Sequence, residues 1–200
     1  MHVVIVSEYC RPWPGGISEH VHHEARLLTA RGHRVTLLTG PASAMPEIDP
    51  MPTDVEVLRL GHARTFLGNG AASRLSFDHR LLAMGRLWRS LKPDVVHVHA
   101  PLDPLLPLVS VLSSSAPVIG TFHASFAPSR LWAALYRGPL AQRAFKRLHT
   151  RIAVSGEAEQ SMAFYQRGNY VRLPNGVDVE HLRPVARSDT SATVLFVGRS

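Results

Sequence analysis

The sequence predicts an α/β fold, a Rossmann-like parallel sheet with helices on both faces. Short runs rich in β-branched residues recur at 3–6, 35–38, 55–60, 95–98, 118–122, 152–154 and 194–197, and stretches with helical spacing lie between them. Strands that alternate with helices build βαβ units, and such units close into a parallel sheet through right-handed crossovers. The runs are also apolar throughout rather than alternating with polar residues, as strands covered on both faces are, so the first three or four are expected to be fully buried.

Each element has its own signal. The first strand, 3–6, leads through Pro14-Gly15-Gly16 into a helix whose apolar positions Ile17, Val21, Ala25 and Leu28 recur at intervals of four and three. Arg31-Gly32 closes that helix with a basic last turn and a glycine stop. After the strands at 35–38 and 55–60, the same spacing returns in Phe77, Leu81, Met84, Trp88 and Leu91, and Lys92-Pro93 ends it. The strands at 95–98 and 118–122 flank an apolar region interrupted by Pro101, Asp103, Pro104, Pro107 and Pro117, which excludes a clean membrane span. The segment 131–148 is helical in composition with a break at Gly138-Pro139. A polar stretch, 184–192, separates the run at 152–154 and its sequel from the last strand, which is expected to open a further βαβ unit.

Composition excludes whole classes. A chain of 200 residues with 45% hydrophobic and 18% charged residues has the material for a sizeable core and is too apolar for disorder. One cysteine, Cys10, rules out a disulfide framework, and the apolar stretch after Met1-His2 is too short for a signal-peptide core, so the expected address is cytoplasmic. The net charge of +7 is carried almost wholly by arginine, since Lys92 and Lys146 are the only lysines. It is spread along the chain, and fits a phosphate-bearing substrate or anionic lipid. Nucleic acid is not expected as a partner: there is no zinc-finger spacing, no aromatic RNP-like strand and no basic tail.

In an open α/β sheet, ligands bind beyond the carboxyl ends of the strands, which directs attention to 8–16, 97–101, 123–125, 155–157 and 174–178. Gly15 and Gly16 let backbone approach a ligand at a helix N-terminus, where N–H groups favour an anion; a tight turn without a ligand is the other reading. Neither G-x-G-x-x-G nor a P-loop is present, so ordinary dinucleotide and ATP sites lose their support. His123, after the run at 118–122, can hydrogen-bond a sugar hydroxyl or a developing charge, or simply cap the strand. His20, His23 and Glu24 share a helix face, and His97 and His99 share a strand face, which is usable ligand spacing. Without H-E-x-x-H or companion cysteines, packing or hydrogen bonding is the expected role for the two strand histidines, and no metal is expected. No G-x-S-x-G elbow supports a serine hydrolase. On the helix expected at 77–91, Arg80, Arg86, Arg89 and Lys92 lie off the apolar stripe, either as a solvated face or as a surface for anionic headgroups.

In order along the chain stand Pro14-Gly15-Gly16, Ala30-Arg31-Gly32-His33-Arg34-Val35, Asp94-Val95-Val96-His97-Val98-His99, Thr121-Phe122-His123, Arg151-Ile152-Ala153-Val154-Ser155, Pro174-Asn175-Gly176-Val177-Asp178 and Val197-Gly198-Arg199. Together these resemble the N-terminal half of retaining family 4 glycosyltransferases of the GT-B fold. Within them, the loop 9–18, the Asn69-Gly70 turn followed by Arg74-Leu75, and the strand end 120–125 are similar to the phosphatidylinositol α-mannosyltransferase type. Two acceptor-side positions depart from that type, with Ser18 standing where it has Gln and Pro128 where it has Lys, so the inositol phosphate acceptor is not carried over.

The resemblance implies a transfer of a hexose, mannose first among them, from a GDP- or UDP-linked nucleotide-sugar donor to a lipid or polyol acceptor with retention. It implies His123 as the catalytic residue at the transferred sugar, Gly15, Gly16 and Arg199 at the donor phosphates, and Tyr9, Ser18, Asn69 and Arg74 on the acceptor side. No cofactor is implied. Residues 1–183 would form the acceptor-side domain, and 184–200 a linker and the first strand of a donor-binding domain not contained in these residues, so the chain by itself is expected to turn over little or nothing. A non-catalytic binding module, or half of a split enzyme paired with a separate donor-domain chain, is the competing expectation. Attachment to the inner face of a membrane would run through the basic helix.

Overall fold

β1, His2–Ser7, is buried along its whole length because it lies at the centre of a sheet and presents apolar side chains to both faces. Val3 and Ile5 pack on one side with Val35, Leu37 and the helix residues Val21 and Ala25. Val4 and Val6 pack on the other with Val96, Val98, Trp88 and Leu106. This double covering is the physical reason for the unbroken apolar run, and each fully buried Val contributes roughly 1.5–3 kcal/mol. The computed structural model describes residues 1–42, 50–68, 71–123, 130–177, 179 and 194. The expected strand at 194–197, Arg199, Asn69 and the proposed domain boundary at 183 lie outside the described residues.

Along the chain, α1 (Gly16–Ala30) follows β1, then come β2 (Arg34–Thr39), β3 (Glu56–Arg59), β4 (His62–Gly68), β5 (Ala71–Phe77), a 3-10 turn (His79–Ala83) and α2 (Met84–Leu91). β6 (Val95–His99), α3 (Leu106–Ser113), β7 (Val118–Phe122), α4 (Arg130–Tyr136), α5 (Pro139–Arg147), β8 (Leu148–Ala153), α6 (Gly156–Tyr165) and β9 (Val171–Arg172) complete the described fold. The seven-stranded sheet has the order β3-β2-β1-β6-β7-β8-β9, with every pairing parallel. The chain winds outward from β1 toward β3, then returns to lay β6 on the other side of β1. That reversal puts the topological switch point, where such sheets bind ligands, between the carboxyl ends of β1 and β6.

The expected α/β architecture is therefore present, with four local differences. β3 is not covered on both faces, because it pairs only with β2 and leaves Glu56 exposed and the rest half-buried. Residues 62–77 form an antiparallel hairpin, β4 with β5, in which Thr65 faces Arg74. Gly61 turns the chain into this hairpin at φ 58°, and a Cβ there would stand 2.0 Å from the Phe77 carbonyl oxygen, so only glycine fits. Phe77 belongs to that hairpin, and the helix expected across 77–91 is split. Asp78 caps the 3-10 turn by accepting the Arg80 N–H, and Lys92, at φ 48°, ends α2.

Two further helices come from segments that the apolar spacing does not mark. In α3, Pro107 sits in the first turn, where its missing N–H costs nothing, so a proline that looks like an interruption begins an element. α6 is capped by Ser155, whose hydroxyl accepts the Ala158 N–H at 3.1 Å, with Glu157 and Glu159 favourably placed in the first turn. The break at Gly138-Pro139 separates α4 from α5 as expected. No helix among the described residues is long and apolar enough to cross a membrane.

Candidate active site

The loop from β1 to α1 delivers a helix N-terminus to the carboxyl end of the sheet. Gly15 has φ 144° and ψ 159°, a backbone conformation that L side chains rarely adopt. Among the described residues, a Cβ added to Gly15 or Gly16 would meet nothing within 4 Å. The first N–H groups of any helix lack an intrahelical acceptor and favour an anion. Arg11 and Glu19 brace the loop, Arg11 Nε donating to Glu19 Oε1 at 3.0 Å. Ser18, one turn inside α1, is fully buried, and its Oγ has no hydrogen-bond partner among the described residues.

A second group of side chains converges from three elements. Because alternate residues of a strand share a face, His97 and His99 of β6 both point toward α1, where Glu24 lies. His97 Nδ1 meets Glu24 Oε1 at 2.5 Å, and His99 Nε2 meets Glu24 Oε2 at 2.9 Å. His97 Nε2 is 2.7 Å from Thr121 Oγ1 on β7, and His99 Nδ1 is 2.8 Å from His123 Nε2, just past the end of β7. His20, one turn before Glu24, sets its ring edge-on to His123 and His99, at centroid distances of 5.2 and 5.4 Å. It also hydrogen-bonds Asn175, which ties the 174–177 segment to the cluster.

The electrostatics of the cluster are set by burial. Desolvation pushes the His99 imidazole down to about 4 and His123 far below its ordinary value, with the neighbouring imidazoles adding to the effect. His20 is lowered for the same reason, against the pull of Glu24. Burial works against the Glu24 carboxylate, but its electrostatic interactions and hydrogen bonds with His97 and His99 outweigh it and hold the carboxyl well below its usual range. The result is an ionised carboxylate beside a His99 ring that burial keeps neutral. His20, Glu24 and His99 also offer ligand atoms within 4.8 Å of one another, but both carboxylate oxygens of Glu24 and both ring nitrogens of His99 are already hydrogen-bonded.

The expected acceptor-side residues lie beside the hairpin. The Tyr9 hydroxyl accepts the Arg74 N–H at 3.2 Å, which puts both at the junction of β1 and β5. Arg74 is buried; its guanidinium donates to the Pro41 carbonyl at 2.8 Å and lies 4.6 Å from the Trp13 ring centroid. Glu8, which the sequence does not single out, is buried and accepts from the Ser76 hydroxyl at 2.5 Å, and burial raises its carboxyl. It fastens the hairpin to the end of β1. The basic positions lie elsewhere: Arg86, Arg89 and Lys92 are exposed, whereas Arg80 is tied to Asp78 and to the Arg59 carbonyl. Leu82, beside them, is 94% exposed.

The carboxyl end of a doubly wound parallel sheet thus carries both a glycine-led helix N-terminus and a histidine cluster gathered on one carboxylate. The model of Glycosyltransferase Family 4 matches residues 14–181, and the chain belongs to that family, as the N-terminal half of its GT-B fold. Over its whole length it is 30% identical to the phosphatidyl-myo-inositol mannosyltransferases of Mycobacterium tuberculosis and Mycolicibacterium smegmatis, covering 52% and 51% of them. Among solved structures, Anabaena HepE in complex with UDP superposes with a TM-score of 0.61 at 15% identity, over 90% of this chain and 45% of that one. Sucrose-phosphate synthase from Thermosynechococcus elongatus superposes with a TM-score of 0.55 at 14% identity, over 92% of this chain and 50% of that one. The chain thus spans about half the length of the curated relatives it matches.

Proposed function

We propose that this chain forms the acceptor-side half of a retaining hexosyltransferase, which passes mannose or a similar hexose from a GDP- or UDP-linked donor to a lipid or polyol. The observation that carries this reading is the N-terminus of α1 at Gly15 and Gly16, at the same end of the sheet as the half-buried, hydrogen-bonded His123. Donor phosphate oxygens would accept from the first N–H groups of α1, which stabilise the departing diphosphate, and His123 would contact the sugar. Arg199 would add charge to the phosphates from the following segment. Tyr9, Ser18, Asn69 and Arg74 would shape the acceptor side, with Arg74 acting through the loop it holds against Trp13.

Calorimetric titration of the chain with GDP, UDP and their mannose and glucose conjugates tests the reading. One nucleotide series is expected to bind, and Gly16→Ala to weaken that binding about tenfold or more, because its methyl group enters the space the phosphate needs. The substitution meets no atom of the described residues, so thermal stability should hold. Equal binding by the variant would remove the helix N-terminus from the site. The 200 residues alone, half the span of the relatives, are expected to transfer little or no sugar, and appreciable turnover by them would contradict that expectation.

The same reading places Arg86, Arg89 and Lys92, with the exposed Leu82, against an anionic membrane surface at the cytoplasmic face. Each cation near such a surface is worth about 1 kcal/mol. Changing all three to Gln is therefore expected to abolish sedimentation with anionic vesicles, and equal wild-type binding to neutral vesicles would argue against an electrostatic contact.

A further inference from the structure

The hydrogen bonds around Glu24 have only one consistent direction. An ionised carboxylate only accepts, so His97 donates to it from Nδ1 and His99 from Nε2. A neutral His99 with its proton on Nε2 has a lone pair on Nδ1, and that nitrogen is 2.8 Å from His123 Nε2. His123 must supply the proton of this contact. Its own proton is therefore on Nε2, and its remaining nitrogen, Nδ1, carries a lone pair. Reversing the chain would require either an imidazolium at the fully buried His99 or a protonated Glu24 between two imidazoles, and burial and the flanking rings oppose these respectively.

We infer that Glu24 and His99 are positioning residues that lock His123 as a neutral imidazole protonated at Nε2, leaving Nδ1 to accept a hydrogen bond from a hydroxyl of the bound sugar. The inference rests on the sugar-transfer reading for its ligand, but not for its geometry. Every N–H of the chain points toward Glu24, so the carboxylate polarises the His123 ring through His99 and makes Nδ1 a better acceptor. His20 closes edge-on at 5.2 Å from His123, so the ring is held sterically as well. A lone pair presented in this way attracts a hydroxyl and repels an anionic oxygen. His123 is thereby assigned to the neutral hexose, and the diphosphate is left to the N-terminus of α1.

Two-bond proton–nitrogen imidazole spectra of the isotope-labelled, chelator-treated chain near neutral pH test this directly. His99 and His123 are expected to be neutral and protonated at Nε2, His97 to be protonated at Nδ1, and the Nε2 protons of His99 and His123 to exchange slowly with water. In Glu24→Gln and in His99→Gln the His123 Nε2 proton should exchange about tenfold faster, the equivalent of one lost hydrogen bond. Addition of the nucleotide sugar that binds should move the His123 Nδ1 resonance and leave Nε2 in place. A wild-type His123 protonated at Nδ1, a charged His99, or unchanged exchange in a folded Glu24→Gln chain would overturn the assignment; where a variant does not fold by circular dichroism, the wild-type tautomers decide. Correct tautomers in a protein that binds no nucleotide sugar would support the lock and count against the sugar-transfer reading alone.

Discussion

Acidification from neutral pH to about pH 5 is expected to cost the fold about 2 kcal/mol through His99 alone, and about 3 kcal/mol by about pH 4. The sign follows from the direction of the shift. In the unfolded chain His99 takes up a proton near 6.5, whereas burial holds it at about 4 in the folded chain. Between those values the unfolded state binds more protons, so stability falls as pH falls. His123 is pushed down further and adds to the same limb, while Glu24, with its carboxyl held well below the usual range, withdraws its contribution at still lower pH. Urea unfolding at a series of pH values checks the slope. His99→Gln, which cannot take up a proton, should flatten the limb substantially even if it lowers stability at neutral pH. An unchanged slope in that variant would show that these rings are not the source.

Asp103→Asn is expected to stabilise the chain near neutral pH by about 2 kcal/mol. The carboxyl sits in the turn after β6, accepts the Tyr136 hydroxyl at 2.9 Å, and is raised by burial to about 6, with that hydrogen bond only partly offsetting the desolvation. A raised carboxyl has the opposite sign to the histidines. The folded state holds its proton up to about 6 while the unfolded state releases it near 3.8, so ionisation destabilises the fold as pH rises across that window. An amide oxygen can accept from Tyr136 without the cost of a buried charge. In the wild type the Asp103 limb partly masks the acid sensitivity of His99 and His123. The Asn variant should therefore be more stable at neutral pH and lose stability more steeply on acidification, and a midpoint unchanged at both ends would refute the assignment.

The two effects belong to one region. Asp103 lies four residues beyond His99, so the carboxyl end of the sheet that carries the proposed chemistry also carries groups whose ionisation burial opposes. Stability given up at such a site is a common accompaniment of function.

Much of this was legible from local spacing. β1, β2, β6 and β7 fall where short β-branched runs place them, α1 where Ile17, Val21, Ala25 and Leu28 recur, and the break between α4 and α5 at Gly138-Pro139. The β4–β5 hairpin was not, because His62–Gly68 and Ala71–Phe77 are polar, mixed segments whose strand character comes from pairing with each other. α3 was hidden by a proline that is harmless in a first turn, and α6 by the weak apolar periodicity of a helix recognisable chiefly by its Ser155 cap. β9 is two exposed residues, too short for a pattern.

By itself the sequence determined the layered architecture, the glycine-led entry to α1, and two separate polar groups, His20, His23 and Glu24 on a helix and His97 with His99 on a strand. Those are consequences of periodicity, which acts over a few residues. Only the tertiary structure decided that the groups meet on one carboxylate and that His123 joins them. That depends on the register that sets β6 beside β1 and β7 beside β6, and on α1 lying over the face of the sheet that His97 and His99 share. The Glu24–His99–His123 chain spans 99 positions of sequence and two hydrogen bonds of space, and no local rule connects residues so far apart until burial forces their polar atoms to find one another.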